Sequence, residues 1–407
     1  MSATLAEPAT PVVNLSPTHR LLCACARRTD GTDLSHLLAP DSWESVDWRS
    51  FPALLVRHGL QALAGAHLAG ARDRMPESVW WDVHAGAMAA RAEALALSSE
   101  LFRVLDAMAA AGVDTLPYKG PLLGWEAYGD LGARPSVDLD LLICPGDLEA
   151  ATAALGELGY RPTYHFSVAE ERWFRRVDGD YPFEHGITGR LVELHVRALS
   201  RRFGPGPTTS DLLARRRIMA ISGLRVALPA ADDLFYLQVA HGAKHRWERL
   251  EWVAATAGLL RLRDGDVSAL HGARYPNTRA VLLGCRLAHD LLGAPVDAET
   301  MARMRSDHVV ERLTDDAIRR LFDDMRSADD GPDNTAAKLR FNFRLQRGLV
   351  ARIRFLYRWV FWPSPEDWER FRLPDPIFFA YRLTRPLRLL SRYAWRIPHH
   401  ENRTRHA

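Results

Sequence analysis

Asp138 and Asp140 flank a single leucine in the stretch SVDLDLLICPG (136–146), and an apolar run follows them. In a β-strand, side chains at i and i+2 share a face, so both carboxylates would project together from the strand's start. Held a few ångströms apart they repel, unless one is protonated or a cation bridges them. Hard oxygen ligands of this kind suit Mg²⁺. A D-x-D pair is common by itself, and one aspartate capping a turn while the other faces solvent also accounts for it. Further on, RLVELHVRAL puts Glu193 and His195 on one face of another strand candidate. A third carboxylate on an adjacent strand completes a metal cradle for phosphoryl chemistry.

Upstream, Lys119 and Gly120 fall between a short strand candidate, VDTLPYKG, and a helical PLLGWEAYGDLG. Glycine there lets backbone N–H groups and a helix N-terminus approach phosphates. Lys119 would add a point charge, and Arg134, four residues before Asp138, could reach a phosphate oxygen. The plainer alternatives are an exposed Lys119 and a Glu193 paired with a nearby arginine. Only three of the 53 basic residues are lysine: Lys119, Lys244 and Lys338. Where arginine serves as the general surface cation, a retained lysine points to a place where a compact ammonium matters.

A second polar set lies in HGAKHRWERLEW, where His241, Lys244, His245, Glu248 and Trp252 have the spacing of one helix face. This face could line a nucleotide cleft with Lys244 and the histidines near the triphosphate. Interdomain packing is the alternative. His-x-x-x-His can also take zinc, although H-E-x-x-H is absent and no third ligand is evident.

The elements that must position these groups follow from hydrophobic period. Residues 1–16, rich in Pro, Thr and Ala, read as a disordered leader, and 17–112 as a helical region with Pro76 and Gly112 punctuating its last helix. A β-α-β-α-β pattern over about 113–200, followed by the strand SGLRVALP, sets a core at 113–228. Its helix GDLEAATAALGELGY has Asp147 near the N-cap, and YPFEHGITG reads as a strand and turn. A helical region, 229–325, opens with one long helix over 230–262, capped by Asp232 or Asp233. The polar stretch RSADDGPDN marks a linker at 326–337, and 338–407 is a basic, aromatic helical tail.

Of 407 residues, 47% are hydrophobic and 25% charged, ordinary for a soluble globular protein of two or three domains. The net charge of +3 is uneven: from Lys338 onward 16 Lys plus Arg face 5 Asp plus Glu. Such a tail could meet an anionic membrane surface, a nucleic acid or another partner, or its arginine stems could simply cover a packed helical subdomain. Four cysteines without a CxxC pair argue against a disulfide scaffold or zinc ribbon. The N-terminus lacks the pattern of a signal peptide, and no apolar run approaches the roughly 18–20 residues that span a bilayer. The expected location is the cytoplasm, with peripheral membrane contact if the tail binds lipid.

In combination, YKGPLL, Y…D.G.R…DLDLLI…DLEAA…LGELGY, VELHVR and DDLFYLQVAHGAKHRWERLEWV resemble an uncharacterised bacterial nucleotidyltransferase family of the DNA polymerase β superfamily, nucleotidyltransferase family 5. The resemblance covers about 95–265 and, more loosely, the helical tail. It implies an α+β fold, a polymerase β-like mixed sheet between N- and C-terminal helical segments. It also implies that Asp138 and Asp140 are paired metal ligands and Glu193 the third carboxylate. Lys119 and Gly120 stand where most of the superfamily has a Gly-Ser turn. The family usually has aspartate where this chain has Glu193, and tends to carry one where this chain reads Ala254-Ala255. The implied activity is Mg²⁺-dependent transfer of a nucleoside monophosphate from an NTP to a hydroxyl group. Lys119, Gly120, Arg134, His195, His241, Lys244 and His245 would contact the nucleotide. The acceptor could be a protein side chain, an RNA end, a sugar or a natural-product peptide. A non-catalytic or regulatory member of a biosynthetic assembly, which binds nucleotide without turnover, is the competing expectation.

Overall fold

Alternating apolar residues between 115 and 195 build five strands: β1 (Thr115–Pro117), β2 (Asp138–Ile143), β3 (Tyr160–Pro162), β4 (Asp180–His185) and β5 (Leu191–His195). In this computed structural model, which describes residues 14–27, 42–270, 272, 274–323 and 333–394, they form one sheet in the order β1-β2-β5-β4-β3. β2 and β5 run parallel, and the other neighbouring pairs are antiparallel, so the sheet is mixed. β3 was not expected; it is a three-residue edge strand containing Pro162, which cannot donate to a ladder.

The pleat divides β2 chemically. Leu139, Leu141 and Ile143 enter a core with Val192 and Leu194 of β5. The long helix Glu77–Ala110 adds Leu97, Leu101 and Val104, and the helix Leu148–Glu157 adds Ala151 and Leu155. Each large aliphatic side chain buried there contributes about 1.5–3 kcal/mol. Asp138 and Asp140 belong to the opposite face. Asp147 does sit at the N-cap of Leu148–Glu157, but its side chain makes no capping hydrogen bond.

A hairpin follows, β6 (Arg217–Ile221) and β7 (Leu224–Leu228), closed by Ser222 and Gly223 at φ +51° and +81°. Positive φ at both central residues matches the twist of a two-residue hairpin turn. β7 was expected and β6 was not: its apolar residues, IMAI, run unbroken after three arginines, with no period-two alternation to mark a strand.

The single helix expected over 230–262 is two, Ala231–Lys244 and Leu250–Arg261. Arg246 and Trp247 between them take left-handed φ values of +58° and +56°. Each costs about 1–2 kcal/mol. The bend sends the Trp247 indole into the core, completely buried against Gly242, where an added Cβ would come within 2.6 Å of the ring. Burying so large an aromatic offsets the backbone cost. Neither Asp232 nor Asp233 caps the first helix; Ala230 holds that position. Asp233 is buried and accepts hydrogen bonds from Arg215 (2.8 and 3.0 Å) and Tyr275 Oη (2.7 Å).

The expected helices at both ends are present. Ser16, placed in the leader by sequence, already caps Pro17–Cys25; residues 1–13 of that leader lie outside the described residues. Residues 324–332, much of the expected linker, also lie outside them, and a helix begins at Asp333. In the tail, Trp368 and Tyr381 join the core beneath the sheet, and buried Asp367 holds Arg385 and Arg388, both at 2.5 Å. No helix among the described residues is long and apolar enough to cross a membrane.

Candidate active site

The parallel register sets Asp138 opposite Leu191, Asp140 opposite Glu193 and Leu142 opposite His195. Residues of one parity share a face, so the carboxylates and the imidazole converge. Asp140 Oδ1 accepts from Lys119 Nζ at 2.5 Å and lies 2.9 Å from His195 Nε2. The same nitrogen is 3.2 Å from Glu193 Oε2, so Glu193 faces His195 rather than an arginine. One ligand atom from each of Asp140, Glu193 and His195 falls within 4.8 Å of the others. Lys119 is not an exposed surface cation: it is tied to Asp140 and lies over the Tyr118 ring at 4.9 Å.

Charge is unevenly balanced in this cluster. Burial works against ionised Asp140, yet Lys119 and His195 hold its carboxyl well below the usual range. The hydrogen bond from His195, against the effect of burial, lowers Glu193. Burial opposes charge on His195 too, but Asp140 and Glu193 raise it to about 9, so the imidazole is a cation at neutral pH. Asp138 has no ion pair among the described residues. Burial first, then the charges of Asp140 and Glu193, raise it to about 6. Three carboxyl groups thus face two cations, and the oxygen-rich remainder fits a hard divalent ion such as Mg²⁺. His195, protonated, is a counter-charge to the carboxylates, and unprotonated its Nε2 offers a ligand atom beside theirs.

Gly120 begins the helix Gly120–Tyr128 at φ +61°, a conformation that L side chains rarely adopt, with Lys119 at the N-cap. A cavity of ≈ 180 Å³ opens in front of it, lined by Lys119, Gly120, Arg134, Asp138, Asp140 and His241 among others. Arg134 is buried, 3.6 Å from Glu251 Oε2, and donates to Ser136 Oγ at 3.3 Å. A smaller cavity of ≈ 80 Å³ behind Lys119 is lined by Asp180, His195, His241 and Lys244. A third, of ≈ 710 Å³, runs from Glu193 and Asp180 to the tail residues Trp359 and Trp368.

The break at residues 245–249 corrects the reading of one continuous polar helix face. His241 reaches the cluster side, and burial, then Lys119, hold it well below the ordinary histidine value. Lys244 sits over the Phe203 ring at 5.8 Å. His245 lines neither of the cavities beside the carboxylates; it packs on His241 and Trp252 at 4.7 and 5.4 Å, and burial lowers it to about 3. Glu248 turns to Lys338 at 4.0 Å.

Three residues at the site were missed in the sequence. Asp180 opens β4 in register with His195, and burial raises its carboxyl. Tyr118 meets the His195 ring edge-on at 5.4 Å. Glu251 lies 3.6 Å from Arg134 as its buried counter-charge. Asp180 has a legible signal, an acid at the mouth of an alternating strand, but only the strand order places it beside β5.

The solution structure of the antibiotic-resistance factor ANT(2'')-Ia is similar to the chain at 14% identity, with a TM-score of 0.28, covering 56% of this chain and 93% of that one. No curated protein matches the chain. The sequence pattern of a family described as uncharacterised nucleotidyltransferase matches residues 44–293, from the N-terminal helices through the sheet and the hairpin to the helix Thr278–Leu292. That span is more than half of the 407 residues and includes every residue of the acidic cluster, and the chain belongs to this uncharacterised nucleotidyltransferase family.

Proposed function

We propose that the chain transfers a nucleoside monophosphate from an NTP to a hydroxyl-bearing acceptor in a Mg²⁺-dependent reaction. The acceptor oxygen bonds to the α-phosphorus and its hydroxyl proton passes to solvent, while the bond from that phosphorus to the β-phosphate oxygen breaks and pyrophosphate leaves with its electron pair. The observation that carries this reading is the register of Asp140 with Glu193, with Asp138 facing the cavity in front of Gly120.

Asp138, Asp140 and Glu193 would hold the metal. When bound, Mg²⁺ supplies charge neutralisation at the phosphates and acidifies the acceptor hydroxyl. Lys119, at the N-cap beside Gly120, steadies the phosphates by its charge, and the helix N-terminus offers N–H groups to them. Arg134 lines the same cavity and, held by Glu251, keeps its guanidinium oriented there. His195 holds a proton between Asp140 and Glu193 and fixes their orientation. His241 and Lys244 complete the wall behind Lys119.

Incubating the chain with each α-labelled NTP, Mg²⁺ and a cell lysate, beside Asp138→Ala/Asp140→Ala, tests the reading. Label that depends on both aspartates supports transfer, and its migration with protein, RNA, sugar or peptide sorts the acceptors. Equal labelling by the double variant overturns it. Retained NTP binding without labelling by the natural chain would point instead to a non-catalytic nucleotide-binding member.

A further inference from the structure

Twelve of the 22 large apolar side chains exposed among the described residues lie between positions 349 and 390. They are ordered rather than scattered. On the helix Leu349–Phe361, Leu349, Ile353 and Leu356 form one stripe; on Tyr381–Ala394, Leu383, Leu387 and Leu390 form another. At about 100° per residue, these positions share a side of each helix. The opposite sides are already used: Phe355, Tyr381 and Arg385 are buried against the rest of the protein. The two helices also pack on each other, so both stripes belong to one structural unit.

Ordered rows of exposed apolar side chains of this kind mark an interaction site. The charge around it says with what. Arg352 and Arg354 border the stripe of the first helix on either side, and residues 338–407 carry 16 Lys plus Arg against 5 Asp plus Glu. Two copies of such a surface would repel each other, whereas a nucleic acid would be met by the arginines with no use for leucine. Helices of 13 and 14 residues are too short to span a bilayer but long enough to lie in its interface.

We infer that the outer faces of Leu349–Phe361 and Tyr381–Ala394 dock the protein on an anionic bilayer surface. The leucine and isoleucine side chains enter the headgroup boundary while Arg352 and Arg354 meet lipid phosphates. This docking is independent of nucleotidyl transfer.

Flotation of the full chain with vesicles of phosphatidylcholine alone, or of phosphatidylcholine with phosphatidylglycerol, tests the inference. Recovery is expected with the anionic vesicles and should weaken as salt rises. Leu383→Asp/Leu387→Asp, and separately Leu349→Asp/Ile353→Asp, should each lower partitioning about tenfold or more, with unchanged circular dichroism. Failure to float, equal recovery with the neutral vesicles, or variants that bind like the natural chain would overturn it. So would light scattering that shows a dimer dissolved by the leucine variants, which assigns the face to a second copy. RNA binding weakened by Arg354→Glu but not by the leucine variants would assign it to nucleic acid.

Discussion

Asp140 on β2 and Glu193 on β5 stand opposite each other in a parallel ladder, and both lie within hydrogen-bond distance of one nitrogen, His195 Nε2. A parallel pair needs a long crossover. Here the crossover contains β3, β4 and two helices, so neighbours in space are distant in sequence.

If that pair holds a catalytic metal, Asp140→Asn should lower Mg²⁺-dependent label incorporation by at least about 100-fold. Glu193→Gln should do the same, whereas Glu193→Asp, which keeps the charge one methylene back, should retain more activity. Initial rates with labelled NTP check the order; an Asp140→Asn rate equal to the natural chain's contradicts it.

Asp138 is raised to about 6, so the folded protein holds its proton more tightly than the unfolded chain does. The stability this contributes is present below about pH 4 and is lost as the pH rises through about 6. Asp138→Asn should therefore stabilise the metal-free protein by about 1–3 kcal/mol at neutral pH, measured by urea unfolding. Mg²⁺ should raise the Tm of the natural chain at neutral pH and have little effect on the variant.

Lys119→Met leaves the nearly inaccessible carboxylate of Asp140 without its closest cation. A broken buried pair costs about 3–5 kcal/mol, and part of that loss should return on adding Mg²⁺. Denaturation midpoints with and without the metal measure both effects.

His58 is fully buried, and its Nδ1 accepts from the N–H of Leu250 at 3.2 Å where the helix Leu250–Arg261 begins. Burial, then Arg57, lower it to about 3, so the folded protein resists protonating it. Its stabilising effect is full above about pH 6.5 and is lost as the pH falls toward about 3. His58→Asn keeps an acceptor and should flatten the slope of stability against pH by up to about 1.4 kcal/mol per unit in that window. Parallel slopes would contradict the assignment.

Gly258 packs its helix against Gly120–Tyr128; an added Cβ would lie 2.6 Å from the carbonyl oxygen of Ala127. Gly258→Ala should destabilise by about 1–3 kcal/mol and weaken labelling by shifting the helix that starts at Gly120. Gly86→Ala, in the long helix with open space around it, should stabilise by about 0.5–1 kcal/mol. Thermal unfolding separates the two.

By itself the sequence determined the strands of the acidic cluster, because period-two alternation and the apolar run after Asp140 are local signals. It also determined which residue types cluster: Asp138, Asp140 and Glu193 were legible from types and spacing, and Lys119 and Gly120 from their place between strand and helix. What only the tertiary structure decided is how these groups divide the charge. Strand order put Asp180 beside β5 and His195 between two carboxylates, where a proton and Lys119 neutralise Asp140 and leave Asp138 exposed to its neighbours' repulsion. The bend at Arg246 and Trp247 was equally invisible in the helical period, since it comes with the burial of one indole against Gly242. Alternation and period are properties of neighbouring residues. Charge balance and burial depend on what the fold brings next to them.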